Sequence, residues 1–187
     1  MKKILAVLIL LCFTKIGFCQ SSYYTIIQGG GNIGVNNPGY KGTFNGYSLH
    51  FIFGKNYNEK AFLGLGLGNE TLKGTYSEKE NTNADNKSLK YDRNLFPIFI
   101  DARFPLLNIG EVSRFGLLAN AGYAAKIGPV YDKGATAKAG LFYLYDSFKR
   151  TKFTFSATYS YQQLKGNIYG SDFNHQHINL SVGIMLK

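Results

Sequence analysis

Cysteine is nearly missing from this chain: the two that occur, Cys12 and Cys19, both fall before residue 20. Once an N-terminal segment of that length is removed, the remainder has no disulfide, no thiolate nucleophile and no thiolate metal site. Long apolar runs are also scarce. The longest, Ile4 to Phe13, has about ten residues where a spanning helix needs about 20, so membrane residence would have to come from strands. Tryptophan is absent, proline occurs four times, and the 11 acids are outnumbered by 21 lysines and arginines. Helical periodicity is missing beyond the N-terminal segment, which excludes bundles, coiled coils and solenoids of helices.

What is present begins with the N-terminus. Met1-Lys2-Lys3 leads into the apolar run and then into Gly17-Phe18-Cys19-Gln20, the layout of a cleavable secretory signal with its cut after Cys19. Phe18 is bulky where a lipoprotein site wants a small residue, so Cys19 is read as the signal-peptidase position and not as a lipid attachment point. Residues 1–19 are thus expected to be a signal peptide and 20–187 a single domain. Loss of Lys2, Lys3 and Lys15 lowers the formal charge from +10 to +7. That excess favours anionic partners such as phosphorylated lipid head groups, and nucleic acid is a poor partner for an exported chain.

The remainder is rich in glycine (22), tyrosine (14) and phenylalanine (15), a composition suited to strands. Eight segments alternate with period two, at about 22–34, 43–53, 60–71, 91–104, 114–126, 135–146, 152–163 and 175–187. Phe153, Phe155, Ala157, Tyr159 and Tyr161 interleave with Thr154, Ser156, Thr158, Ser160 and Gln162. Tyr47, Leu49, Phe51 and Phe53 oppose Ser48 and His50; Phe96, Ile98, Ile100, Ala102 and Phe104 oppose Asp101 and Arg103. Leu63, Leu65 and Leu67 oppose three glycines, and Ile178, Leu180, Val182 and Ile184 oppose Asn179, Ser181 and Gly183. Long polar connections near 35–42, 72–90, 127–134 and 164–174 alternate with links near 54–59, 105–113 and 147–151 that are shorter on average.

An even strand number with long loops at one end and tight turns at the other predicts an all-β, eight-stranded antiparallel up-and-down transmembrane β-barrel. A soluble barrel would turn its apolar face inward, whereas a membrane barrel turns it to lipid. Bulk decides between them: an eight-stranded interior has room only for side chains, and the face rich in Phe, Tyr, Leu and Ile would crowd it.

With these segments, the stretches FLGLGLGNE at 62–70 and LFPIFIDARFPL at 95–106 and the closing strand HINLSVGIMLK, the chain resembles the small OmpA/OmpX-like outer-membrane barrels. More loosely it resembles the Bacteroidetes-type outer membrane beta-barrel proteins of Gram-negative bacteria. The resemblance implies residence in the outer membrane, contact with its lipid and lipopolysaccharide, and insertion by the barrel-assembly machinery. Such barrels usually end in an aromatic residue; this chain ends Leu186-Lys187.

With the bulky face outward, parity places His50, Glu70, Arg93, Asp101, Arg103, Lys126 and Lys138 in the lumen. Unpaired charges in a narrow interior are costly, so Glu70 and Asp101 are expected to accept from the arginines and lysines and plug the barrel with a polar network. No catalytic, cofactor or metal site is assigned. A Ser-His-acid set, as in lipid A-modifying barrel enzymes, would need Asp146-Ser147 to meet His175 and His177 from the opposite barrel end. The pair His175 and His177 lacks a third ligand, and Gly29 to Gly31 lack the lysine and helix of a phosphate loop. The expected function is therefore a non-enzymatic structural or surface-interaction role, with loop 72–90 as the segment that meets an external partner. A narrow porin-like channel, a lipid A-modifying enzyme and a soluble periplasmic ligand-binding barrel are the alternatives.

Overall fold

The computed structural model describes residues 22–35, 40–78, 89–146, 151–164 and 173–187. The expected signal peptide, the tip of loop 72–90 and most of loop 164–174 lie outside them. Ten strands follow one another: β1 (Ser22–Gly34), β2 (Tyr40–Tyr57), β3 (Ala61–Glu78), β4 (Leu89–Leu95), β5 (Pro97–Ile109), β6 (Ser113–Ala124), β7 (Tyr131–Asp132), β8 (Gly134–Tyr145), β9 (Thr151–Leu164) and β10 (Phe173–Leu186).

These ten strands make eight walls. β4 and β5 form one wall, because both pair with β3 in a single continuous register, from Tyr76↔Leu89 to Phe62↔Arg103. The ladder is interrupted at Phe96-Pro97, where proline has no N–H to give to a neighbour. β7 is a two-residue bridge that lies parallel to β4 at the mouth. Neighbouring walls are antiparallel throughout, and β10 returns to β1 with ten paired residues from Thr25↔Leu186 to Gly34↔His177. The sheet is closed around the barrel body, where each wall is paired on both sides.

The turn after β2 shows how tightly the short end is made. Lys60 N–H donates to the Tyr57 carbonyl at 3.0 Å, and the two residues between them, Asn58 and Glu59, have φ of 54° and 60°. Two left-handed central residues define the mirror-image turn whose twist matches an antiparallel hairpin. Asn56 secures it by accepting from Glu59 N–H and donating to the Glu59 carboxylate, each at 2.8 Å.

Alternation then sorts the side chains. Tyr47, Leu49, Phe51, Phe53, Leu63, Leu65, Leu67, Ile98, Ile100, Phe155, Ile178, Leu180, Val182 and Ile184 point outward and are exposed, and Phe153 is half-covered. The inner face differs from the expectation of a purely polar lining. Tyr24, Ile26, Ile52, Phe62, Phe99, Leu118, Phe142, Leu144 and Met185 form an apolar cluster in the half nearer the turns. Phe44, Leu72, Tyr76, Tyr91, Leu95 and Ala124 form a second at the loop end. Glycine makes room for this bulk: the inward side of Gly66 is filled by the Phe99 ring, where a Cβ would collide. Gly66 and Phe99 are register partners on neighbouring walls, so a small residue lies beside a large one.

Strands β2 and β3 exceed the sequence-based ends of segments two and three, each running 18 residues. The expected loop 72–90 is accordingly strand up to Glu78 and again from Leu89. The inner apolar cluster at the loop end explains the extension, because Phe44, Leu72 and Tyr76 gain burial only if the ribbon continues.

The backbones of β2 and β3 approach so closely that a Cβ on Gly46 would run into the Thr71 carbonyl oxygen. Gly46→Val should therefore cost about 1–3 kcal/mol through forced displacement of the hairpin. A lowered guanidinium midpoint for loss of the folded, fast-migrating gel species is the expected readout; an unchanged midpoint would show that the ribbon can shift freely.

Candidate functional site

The middle of the lumen is a polar belt between the two apolar clusters, and β-strand parity assembles it from nearly every wall. Glu70 on β3 is fully buried. Its Oε1 lies 2.9 Å from His50 Nε2 on β2 and accepts from Lys138 Nζ on β8, while its Oε2 accepts from Gln162 Nε2 on β9 at 2.7 Å. One carboxylate thus serves three walls, and it offsets the charge of Lys138 at a depth where an unpaired ammonium would be expelled.

A second centre lies beside it. Asp101 and Arg103 are two residues apart on β5, share the inner face and pair through Nε and Oδ2 at 3.0 Å. Arg103 spreads its remaining donors: Nη1 to Thr154 Oγ1 and Nη2 to Gln28 Oε1, both at 2.9 Å. Asn120 Nδ2 donates to Asp101 Oδ1 at 2.7 Å. Gln28 Nε2 donates onward to Ser181 Oγ at 2.7 Å, which lies 2.6 Å from Ser156 Oγ. The guanidinium also sits 5.9 Å from the Phe142 ring centroid, where the polar belt meets the lower apolar cluster. The free space among Gln28, His50, Asp101, Arg103, Asn120 and Lys138 is only about 10 Å³, of the order of a single water.

Of the seven residues assigned to the lumen from sequence, His50, Glu70, Asp101, Arg103 and Lys138 are brought together in this belt. Arg93 is buried at the loop end but, among the described residues, reaches no carboxylate; its Nη1 donates to the Pro129 carbonyl at 2.7 Å and ties β4 to the connection after β6. Lys126 is not in the lumen. β6 ends at Ala124, so strand parity no longer applies, and Lys126 is exposed in the connection that follows. Gln28, Asn120 and Gln162 are inward residues that charge-based reasoning passed over. Their only signal is parity with neighbours such as Ile26 or Ser160.

His175 and His177 occupy adjacent inward positions of β10, fully buried, with rings stacked 5.1 Å apart and His175 against Phe44. They stay within the loop-end half, whereas Asp146 directly follows β8 at the turn end, so the height of the barrel separates this acid from both histidines, and Ser147 lies outside the described residues. Among the described residues no three His, Cys, Asp or Glu side chains form a metal-binding group.

At the turn end a different ion network closes the lumen. Glu59 accepts from Arg114 on β6 and from Lys187 after β10, and from Lys152 on β9 at 3.2 Å. Lys152 also pairs with Asp146. The last residue of the chain is thereby tied to the first short turn. Burial alone would raise the Glu59 carboxyl, but the hydrogen bond from Lys187, the Lys152 charge and the Asn56 hydrogen bond outweigh it and hold the pKa at about 2.

Two expectations follow from these networks. Glu70→Ala should cost about 3–5 kcal/mol because it leaves Lys138 buried and uncompensated, and a Glu70→Met/Lys138→Met double variant should recover much of that loss. Chemical denaturation of the three variants checks this; a double variant no better than Glu70→Ala would refute the pairing. Glu59 is lowered from an ordinary 4.5 to about 2 in the folded state, so its contribution is complete above pH 4.5 and lost as pH falls through 2. Unfolding midpoints should fall across that window in the wild type and show less of that fall in Glu59→Gln.

Comparison with known proteins adds the following. No family model matches the chain, and no curated protein matches it. Among solved structures, the neisserial surface protein A crystal structure is similar over 90% of this chain and 99% of its own length, at 15% identity and a TM-score of 0.57. The outer membrane protease OmpT of Escherichia coli aligns over 92% of this chain and 99% of its own, at 7% identity and a TM-score of 0.39, too distant to carry an argument. The first of these agrees with the closed, eight-walled antiparallel barrel described above.

Proposed function

We propose that this chain is an exported outer-membrane barrel, of the small OmpA/OmpX-like kind, whose body is a closed, non-enzymatic scaffold and whose function is carried at the loop end. One observation carries the reading: a continuous apolar outer face surrounds a lumen stoppered by apolar clusters above and below a fully paired charge belt. An outer face of exposed Leu, Ile, Val and Phe would aggregate in water and is stable against lipid. Ions cannot follow a path that has about 10 Å³ of free space at its charged middle, which speaks against the channel alternative. The His50–Glu70 contact, a fragment of acid-base machinery, is sealed from any substrate and has Lys138 and Gln162 as its neighbours, which speaks against a hydrolase. The name of the structurally similar neisserial protein, a surface protein, accords with a surface role.

The long β2–β3–β4 ribbon is the part built for contact. Its inner side is stiffened by Phe44 stacked on Tyr91 at 4.4 Å, and its strands β3 and β4 are the ones that residues 79–88 join in sequence. A stiff ribbon reduces the ordering cost of meeting a partner. Lipid and lipopolysaccharide of the outer membrane are proposed to surround the barrel, with the barrel-assembly machinery inserting it despite the Leu186-Lys187 end.

An epitope tag inserted between Thr82 and Asn83 tests the reading. The tagged protein should fractionate with the outer membrane, migrate differently when heated, bind antibody on intact cells and pass no steady current in planar bilayers. Recovery in the soluble periplasm, or a sustained open-state conductance, would overturn it.

A further inference from the structure

The outer surface carries a crevice at the turn end that combines two chemistries. Register places Thr25, Phe53, Leu65 and Ile100 in one rung across β1, β2, β3 and β5, and Tyr23, Lys55, Leu63 and Ala102 in the next rung toward the turns. The result is a crevice of about 470 Å³ lined by Tyr23, Phe53, Leu63, Leu65 and Ile100, with Lys55 on its wall. Lys55 is the charged residue among those lining the crevice.

The electrostatics of the turn end leave that amine unneutralised. Among the described residues Lys55 has no carboxylate within ion-pair distance; its Nζ lies 5.6 Å from the Tyr57 ring centroid, a cation–π contact that positions it. Glu59, the acid of the adjacent turn, is committed to Arg114, Lys152 and Lys187. Lys60, in the same turn, also has no carboxylate partner among the described residues. Lys55 therefore lines the apolar crevice, with Lys60 in the adjacent turn, and the described residues supply neither with a carboxylate.

We propose that this crevice is a binding site for an anionic phospholipid, with an acyl chain lying against Phe53, Leu65 and Ile100 and the phosphate on the Lys55 ammonium. The inference rests on the membrane reading above. Charge complementarity selects the head group: a zwitterionic lipid brings its own ammonium against Lys55 and Lys60, whereas phosphatidylglycerol brings only negative charge. Burial of the chain supplies affinity for any diacyl lipid, and the lysine supplies the preference.

The probe is an equimolar mixture of phosphatidylglycerol and phosphatidylcholine with identical acyl chains. Protein extracted in detergent is equilibrated with it, and the bound lipid is counted by native mass spectrometry. Phosphatidylglycerol should be retained about fivefold over phosphatidylcholine, the ratio that one lysine near a charged membrane surface provides. Lys55→Gln should abolish the preference and Lys55→Arg keep it, while Lys133→Gln, an exposed lysine at the loop end, should leave it intact. Heat-modifiable mobility confirms that each variant is folded. Equal retention of both lipids by the wild type, or a preference that survives Lys55→Gln, overturns the proposal. Recovery of the protein without detergent would instead overturn the membrane reading beneath it.

Discussion

The antiparallel pairing of β10 with β1 is the constraint on which the other features depend. Without it both strands would present a full edge of N–H and C=O groups, which no apolar surrounding can satisfy. Closure also fixes the number of walls, and eight walls give an interior only wide enough for side chains. Everything inside must then be packed as a solid core. The turn-end ion network reinforces the same seam, since Lys187, just past β10, is bound to Glu59 in the turn after β2.

Because the interior is solid, its chemistry is dictated by pairing. Glu70 and Asp101 are buried at no net charge cost only because Lys138 and Arg103 reach them from across the lumen or along the strand. Neutral amides and hydroxyls from Gln28, Asn120, Thr154 and Gln162 take up the remaining donors and lone pairs. Away from this belt the inner face carries apolar clusters, with Phe62, Phe142 and Leu144 toward the turns and Phe44, Tyr76 and Tyr91 toward the loops, where Arg93, His175 and His177 are also buried. A belt of charge thus lies between two apolar clusters inside the barrel.

The outside follows a simpler rule, with chemistry concentrated at the two ends. At the loop end, the ribbon of β2, β3 and β4 extends because its inner side is packed. At the turn end, three cations converge on one carboxylate whose backbone adopts a left-handed conformation, φ 60° at Glu59. The side chain's ion pairs and its hydrogen bonds with Asn56 offset that local strain. The same commitment of Glu59 leaves Lys55 and Lys60 without an internal partner.

Period-two alternation by itself determined the strand class, the wall number and the outward set from Tyr47 to Ile184, because adjacent residues of a strand must face opposite sides. Parity also carried His50, Glu70, Asp101, Arg103 and Lys138 to the lumen. It failed at Lys126, where the strand had already ended, and it says nothing about what a residue meets across the barrel. Only the tertiary structure decided that Glu70 joins β2, β8 and β9, that Arg93 holds a loop carbonyl and, among the described residues, no acid, and that the Phe99 ring fills the space beside Gly66. Those outcomes depend on register between walls distant in sequence and on the volume left by Gly66 and its like. The length of β2 and β3 was likewise hidden, because the burial that extends them comes from Tyr91 and Leu95 on another wall.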